Sequence, residues 1–173
     1  MDPLICLTVS GALAVLFASS AIQQSASASR WVEIVRNYQL VPAVLAAPIA
    51  GLIVALQSLV AVGLLWAPRR ALAACAAAGL LLAFGGAMWL NIRRGRTQID
   101  CGCSTLSRGG GLSQWMIWRN VVLAALALTL TLPVGTRSLS ATELLVSALW
   151  VLTLSFLYPV IGVILRPLAR RQT

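Results

Sequence analysis

The chain has no histidine and no lysine, and only four carboxylates in 173 residues. Without histidine there is no Ser-His or Cys-His nucleophile pair and no imidazole metal ligand. Without lysine there is no Schiff base and no amine general base. The carboxylates are Asp2, Glu33, Asp100 and Glu143, and none falls deep in an apolar run. A proton-relay transporter would place one at mid-membrane, so that class is disfavoured.

Apolar residues are abundant instead. They make up 60% of the chain, and the mean hydropathy is +0.91. A soluble domain of this length does not carry so much apolar surface. A spanning helix takes roughly 20 mostly apolar residues, and five stretches approach or reach that length. They are about 4–22, 41–66, 71–92, 115–132 and 142–165. These predict an all-α, polytopic transmembrane bundle of about five spans, four forming a core and one peripheral, in a single membrane domain. Pro48 and Gln57 interrupt the second run. Ala74, Ala78, Gly79, Gly85 and Gly86 would allow close helix approach in the third. Between the first two runs, Trp31, Val32, Ile34 and Val35 alternate with Arg30, Glu33 and Arg36. That pattern predicts a short helix lying on the membrane surface. Ser25-Ala26-Ser27-Ala28 has the small residues of a signal-peptide cleavage site. The start, Met1-Asp2-Pro3, lacks the basic region such a signal carries, so the first run is expected to remain as a span.

The formal charge is +9, all of the positive charge coming from arginine. The arginines lie between apolar runs and at the C-terminus, where they anchor helices and set topology; nucleic-acid binding is not expected. With five spans, most arginines fall on the side that also holds residues 93–114. Counting them places that loop in the cytoplasm. Disulfide formation favours the opposite compartment, so the two expectations conflict.

The loop 93–114 contains Cys101-Gly102-Cys103 and a run of cations: Arg93, Arg94, Arg96 and Arg108. Thiolate is the reactive form of cysteine, and nearby cations favour it. A disulfide across one intervening glycine would depart from ideal geometry and would be oxidising. Cys101 and Cys103 are therefore the candidate catalytic thiols, with Arg93, Arg94 and Arg96 as activators. Two plain readings stay open: ordinary loop cysteines, and thiolate binding of a soft metal such as Cu(I). Cys6 and Cys75 form a possible second thiol pair, both expected near the membrane face opposite the loop. They also suit small apolar helix residues. Gln57, Trp89 and Trp115 are possible ligand-facing residues. Hydrogen bonding to a neighbouring helix for Gln57, and an interfacial aromatic belt for the tryptophans, are the preferred readings.

Asn91-Ile92-Arg93-Arg94-Gly95-Arg96, Ile99-Asp100-Cys101-Gly102-Cys103, Leu112-Ser113-Gln114-Trp115 and Arg119-Asn120 occur in that order. Together with Val35-Arg36-Asn37-Tyr38-Gln39-Leu40-Val41-Pro42, they resemble the methylamine utilisation protein MauE family, small integral membrane proteins distantly related to DoxX-like proteins. The resemblance implies maturation of a periplasmic, disulfide-rich dehydrogenase subunit together with a thioredoxin-like partner. It implies a multi-pass protein of the plasma (inner) membrane. If the Cys101/Cys103 pair is redox-active, its electrons would leave to a quinone or to a second thiol pair, a hypothesis that no recognisable quinone-binding motif supports. The family's Phe-Gly after the second cysteine is Ser104-Thr105 here. Gln57 stands where many relatives have a glutamate.

Overall fold

The computed structural model describes residues 2–96, 114–135 and 140–164, with side chains in the last helix described as far as Thr153. Six α-helices account for most of these: α1 (Pro3–Ala26), α2 (Ala28–Asn37), α3 (Ala46–Leu65), α4 (Arg70–Arg93), α5 (Gln114–Thr129) and α6 (Ala141–Ile164). Local chemistry explains several of their ends. Asp2 caps α1, its Oδ1 accepting the Leu4 N–H at 2.8 Å, and Pro3 occupies the first turn, where its missing donor costs nothing. Ser140 and Glu143 form a reciprocal capping box on α6: Glu143 Oε2 accepts the Ser140 N–H at 2.8 Å and Ser140 Oγ accepts the Glu143 N–H at 3.3 Å. At the end of α4 the chain turns through Gly95 at φ 73°. The Gly95 N–H bonds the Ile92 carbonyl and the Arg96 N–H bonds the Asn91 carbonyl, both at 2.9 Å. This is the Schellman arrangement, and it needs the left-handed backbone that glycine adopts freely.

The second apolar run begins with a separate 3₁₀ turn, Ala43–Leu45, before α3. Pro48 falls in the first turn of α3, so the helix is not broken there. The amphipathic segment is a distinct helix, α2. It exposes Glu33 and Arg36 and buries Trp31, whose indole Nε1 donates to the Ala50 carbonyl at 3.1 Å. This bond fastens α2 to the early part of α3.

Among the described residues, three segments are long and apolar enough to cross a membrane: Pro3–Ala26, Ala43–Leu65 and Ala67–Arg93. With about 1.5 Å rise per residue, the 24 residues of α1 extend about 36 Å, more than the roughly 30 Å hydrocarbon core. The molecule is therefore an all-α, polytopic membrane bundle. Helices α3 and α4 form an antiparallel hairpin through Ala67–Arg69, and α5 packs along α4. Helix α6 packs along α1 in the same direction. Thr8 Oγ1 lies 3.1 Å from Ser147 Oγ, and one turn further along, Gly11 faces Val151. The main core joins α1, α3, α4 and α5 through Leu13, Phe17, Leu64, Ala74, Leu81 and Ala127. A second, smaller cluster lies at the far end of α4, where Met88 packs with Tyr38, Ile92, Met116 and Ile117.

Close approach follows some of the expected small residues and not others. Ala74, Ala78 and Gly85 are buried, and a Cβ on Gly85 would lie 3.5 Å from the Asn120 Cβ. Gly79 and Gly86 open onto free space. The tightest contact is at Gly63, where a Cβ would lie 2.9 Å from the Ala73 Cβ.

Candidate functional site

The bundle has two chemically different ends. At one end, α3 turns into α4. Arg70 reaches back across this end to α1, where its Nη1 donates to Cys6 Sγ at 3.1 Å and its Nε to the Leu64 carbonyl at 3.4 Å. Cys6 is fully buried behind this guanidinium. Cys75, little more than one turn into α4, is exposed, and both thiols are free. They share an end of the bundle, as expected, but have different surroundings. After solubilisation in mild detergent, a maleimide is expected to label Cys75 while Cys6 reacts only after denaturation. Mass spectrometry of the labelled peptides would check this, and equal labelling of both in the folded protein would refute it.

At the other end, α1 finishes, α2 lies across the bundle, α4 finishes and α5 begins. Arg93, Arg94 and Arg96 stand here, Arg93 and Arg94 exposed and Arg96 half-buried. The Arg93 guanidinium sits over the Trp89 ring, 4.4 Å from its centroid. Trp89 and Trp115 are 45% and 50% exposed, on the outside of the bundle. Cys101 and Cys103 lie outside the described residues, so the candidate thiols are placed only by the helices that flank them. The Schellman turn brings the chain out of α4 with Arg93, Arg94 and Arg96 at the foot of their loop.

Inside the bundle the structure adds residues that hydropathy alone does not single out. Gln57 is 2% exposed and faces the core, not the lipid. Gln24, Asn91 and Asn120 are also buried. Asn120 Nδ2 donates to the Met116 carbonyl at 3.0 Å and lies 3.8 Å from Met88 Sδ. Asn91 Nδ2 donates to the Ala87 carbonyl at 3.0 Å. Gln24 Oε1, Gln57 Oε1 and Asn91 Oδ1 have no hydrogen-bond partner. Buried carboxamides in an apolar bundle are costly unless paired, by about 1–3 kcal/mol for each unmet group. The sequence signal for Asn91 and Asn120 was their place inside apolar runs, one near each helix end that flanks the cysteine loop. Among the described residues, no three His, Cys, Asp or Glu side chains come together as a metal site.

The outer side of the α1–α3 pair holds a groove of about 370 Å³. Its walls are Ala18, Ala21, Ile22 and Ser25 from α1 and Ser58, Ala61 and Val62 from α3. Small side chains and hydroxyls of this kind admit a further helix in a bilayer, where packing and interhelical hydrogen bonds, not water exclusion, drive association.

Comparison with known proteins gives the same result for most of the length. Residues 2–133 match the family model described as methylamine utilisation protein MauE. The chain is 36% identical over 130 residues to methylamine utilization protein MauE of Paracoccus denitrificans, covering 75% of this chain and 70% of that one. The protein of the same name from Methylophilus methylotrophus is 34% identical over 162 residues, covering 91% and 84%. That from Methylorubrum extorquens is 38% identical over 136 residues, covering 78% and 73%. No solved structure matches the chain. The matched region runs from the cap of α1 to just beyond α5, and on this basis the chain belongs to the methylamine utilisation protein MauE family.

Proposed function

We propose that this chain is a partner-binding membrane subunit that serves methylamine utilisation, the process for which its relatives are named. In this reading all five long helices span the plasma (inner) membrane. The protein presents a docking site to the transmembrane helix of a partner during maturation of a periplasmic dehydrogenase subunit. The observation that carries the proposal is the α1–α3 groove, with its small and hydroxylated walls.

A second reading uses the Cys101-Gly102-Cys103 loop. A thioredoxin-like partner's dithiol would attack the Cys101–Cys103 disulfide. The partner's two sulfurs would become a disulfide, and two electrons and two protons would pass to Cys101 and Cys103. A quinone, reduced to the quinol, or the disulfide of a second thiol pair, reduced to two thiols, would then accept the two electrons and two protons. The arginines at the end of α4 favour this reading, because thiolate is the attacking form and cations stabilise it.

One experiment separates the two. Accumulation of mature dehydrogenase subunit is measured for Ser58→Leu, which fills the groove, and for Cys101→Ala with Cys103→Ala. Ser58 is exposed and its Oγ bonds only the Val54 carbonyl of its own helix, so the leucine should not disturb the fold. Obstructing a helix contact by about 1–3 kcal/mol weakens it between about fivefold and a hundredfold or more. The partner-binding reading expects a comparable fall for Ser58→Leu and little change for the cysteine variant. The redox reading expects the reverse. If neither variant lowers the mature subunit, both readings fail.

A further inference from the structure

We propose that the end of the bundle formed by α2 and the close of α4 binds the phosphate headgroup of an anionic phospholipid. The charge on the two ends of the described structure differs sharply. One end has Arg69 and Arg70 with Asp2 and Glu143, which balance. The other has Arg30, Arg36, Arg93, Arg94, Arg96 and Arg119, with Glu33 as the one carboxylate among the described residues.

The fold converts this asymmetry into a site. Tyr38, just past α2, packs against Met88 in the last part of α4. That contact places the end of α2, with Arg36 in its last turn, at the same end of the bundle as Arg93 and the Schellman turn. The Trp31 indole holds the start of the same helix on α3. Helix α2 thus lies along the bundle's end with its charged face outward, the posture of an interfacial helix. Trp89 is half-exposed under the Arg93 guanidinium, and tryptophan at this depth marks the headgroup level. Arg36, Arg93 and Arg94 are exposed, so their guanidinium groups can turn toward a ligand. Every cation in the chain is arginine, whose planar fork accepts phosphate oxygens two at a time, which an ammonium cannot do.

The test uses the whole protein in nanodiscs of phosphatidylcholine, with and without phosphatidylglycerol. Bound phosphatidylglycerol is counted by native mass spectrometry. Retention should exceed that of phosphatidylcholine and should fall as salt is raised. Arg94→Gln should weaken it about fivefold, and the combined Arg36→Gln, Arg93→Gln, Arg94→Gln and Arg96→Gln variant should abolish the preference. Arg69→Gln, at the opposite end, should leave it unchanged. Helical circular dichroism confirms that the combined variant is folded, and Arg94→Gln alone carries the test if it is not. Equal retention of phosphatidylglycerol by Arg94→Gln and the native chain overturns the proposal, as does an equal loss in Arg69→Gln. Stabilisation by inorganic phosphate in phosphatidylcholine discs, to the degree given by phosphatidylglycerol, would overturn the lipid as the source.

Discussion

Replacing Phe17 by alanine should cost about 2–4 kcal/mol of bundle stability. Phe17 is 1% exposed and belongs to the core cluster with Leu13 and Ala14 on its own helix, Ala61 and Leu64 on α3 and Ala73 and Ala74 on α4. In a soluble protein a buried Phe→Ala change costs about 3–5 kcal/mol, part transfer from water and part cavity. In a membrane the unfolded helices still sit in hydrocarbon, so the transfer part largely drops out. The lost dispersion contacts remain, because the neighbouring leucines and alanines are held on packed helices and close over the gap only in part. Phe17→Leu fills most of the volume and should recover more than half of the loss. Unfolding in mixed micelles with increasing denaturing detergent would measure both. A Phe17→Ala protein as stable as the native chain would show that α1 does not pack against the α3–α4 hairpin as described.

Gly63→Ala should destabilise the same hairpin, while Gly79→Ala should leave it unchanged or slightly stronger. Both glycines lie in helices, and alanine improves helix propensity by about 0.5–1 kcal/mol at either position. At Gly79 a Cβ meets nothing within 4 Å, so that gain stands alone. At Gly63 it would sit 2.9 Å from the Ala73 Cβ, nearer than two carbons can approach. Neither atom can turn away, because both are fixed to backbone. The helices must separate, and overpacking of this kind costs about 1–3 kcal/mol. The same detergent titration reads the pair, and the sign of the difference is the result. Gly63→Leu should be worse than Gly63→Ala, since the added atoms deepen the clash.

These two sites show how far the sequence could be read. The apolar runs at about 4–22, 41–66 and 71–92 fall on the three described segments long and apolar enough to cross a membrane, because bilayer thickness sets the length of a span independently of its packing. The surface helix was legible from the spacing of Trp31, Ile34 and Val35 against Arg30, Glu33 and Arg36. Closeness of helices was not legible at residue level. Gly79 and Gly86 satisfy the same small-residue pattern as Gly63, yet face open space. Hydropathy sees composition, and lipid-facing and core-facing positions are equally apolar. Asn91 and Asn120 stand out as polar residues inside apolar runs, but that both are buried needs the fold. Gln57 was noticed as a polar residue in mid-run; that it turns inward needed the fold. Cys6 and Cys75 are legible as sharing one end, but only the fold shows that Cys6 joins the core beneath Arg70 while Cys75 faces outward. The loop with Cys101 and Cys103 is known by its sequence and by the two helix ends that hold it.

The bond from Trp31 to the Ala50 carbonyl has a mechanical consequence. It couples an amphipathic helix to one long and apolar enough to cross a bilayer. A spanning helix answers a thinner membrane by tilting. Because the indole is fixed to the early part of α3, a tilt of α3 would carry the start of α2 with it, while Tyr38 at the other end rests on Met88 of α4. These two attachments would tie the lean of α3 to the position of α2.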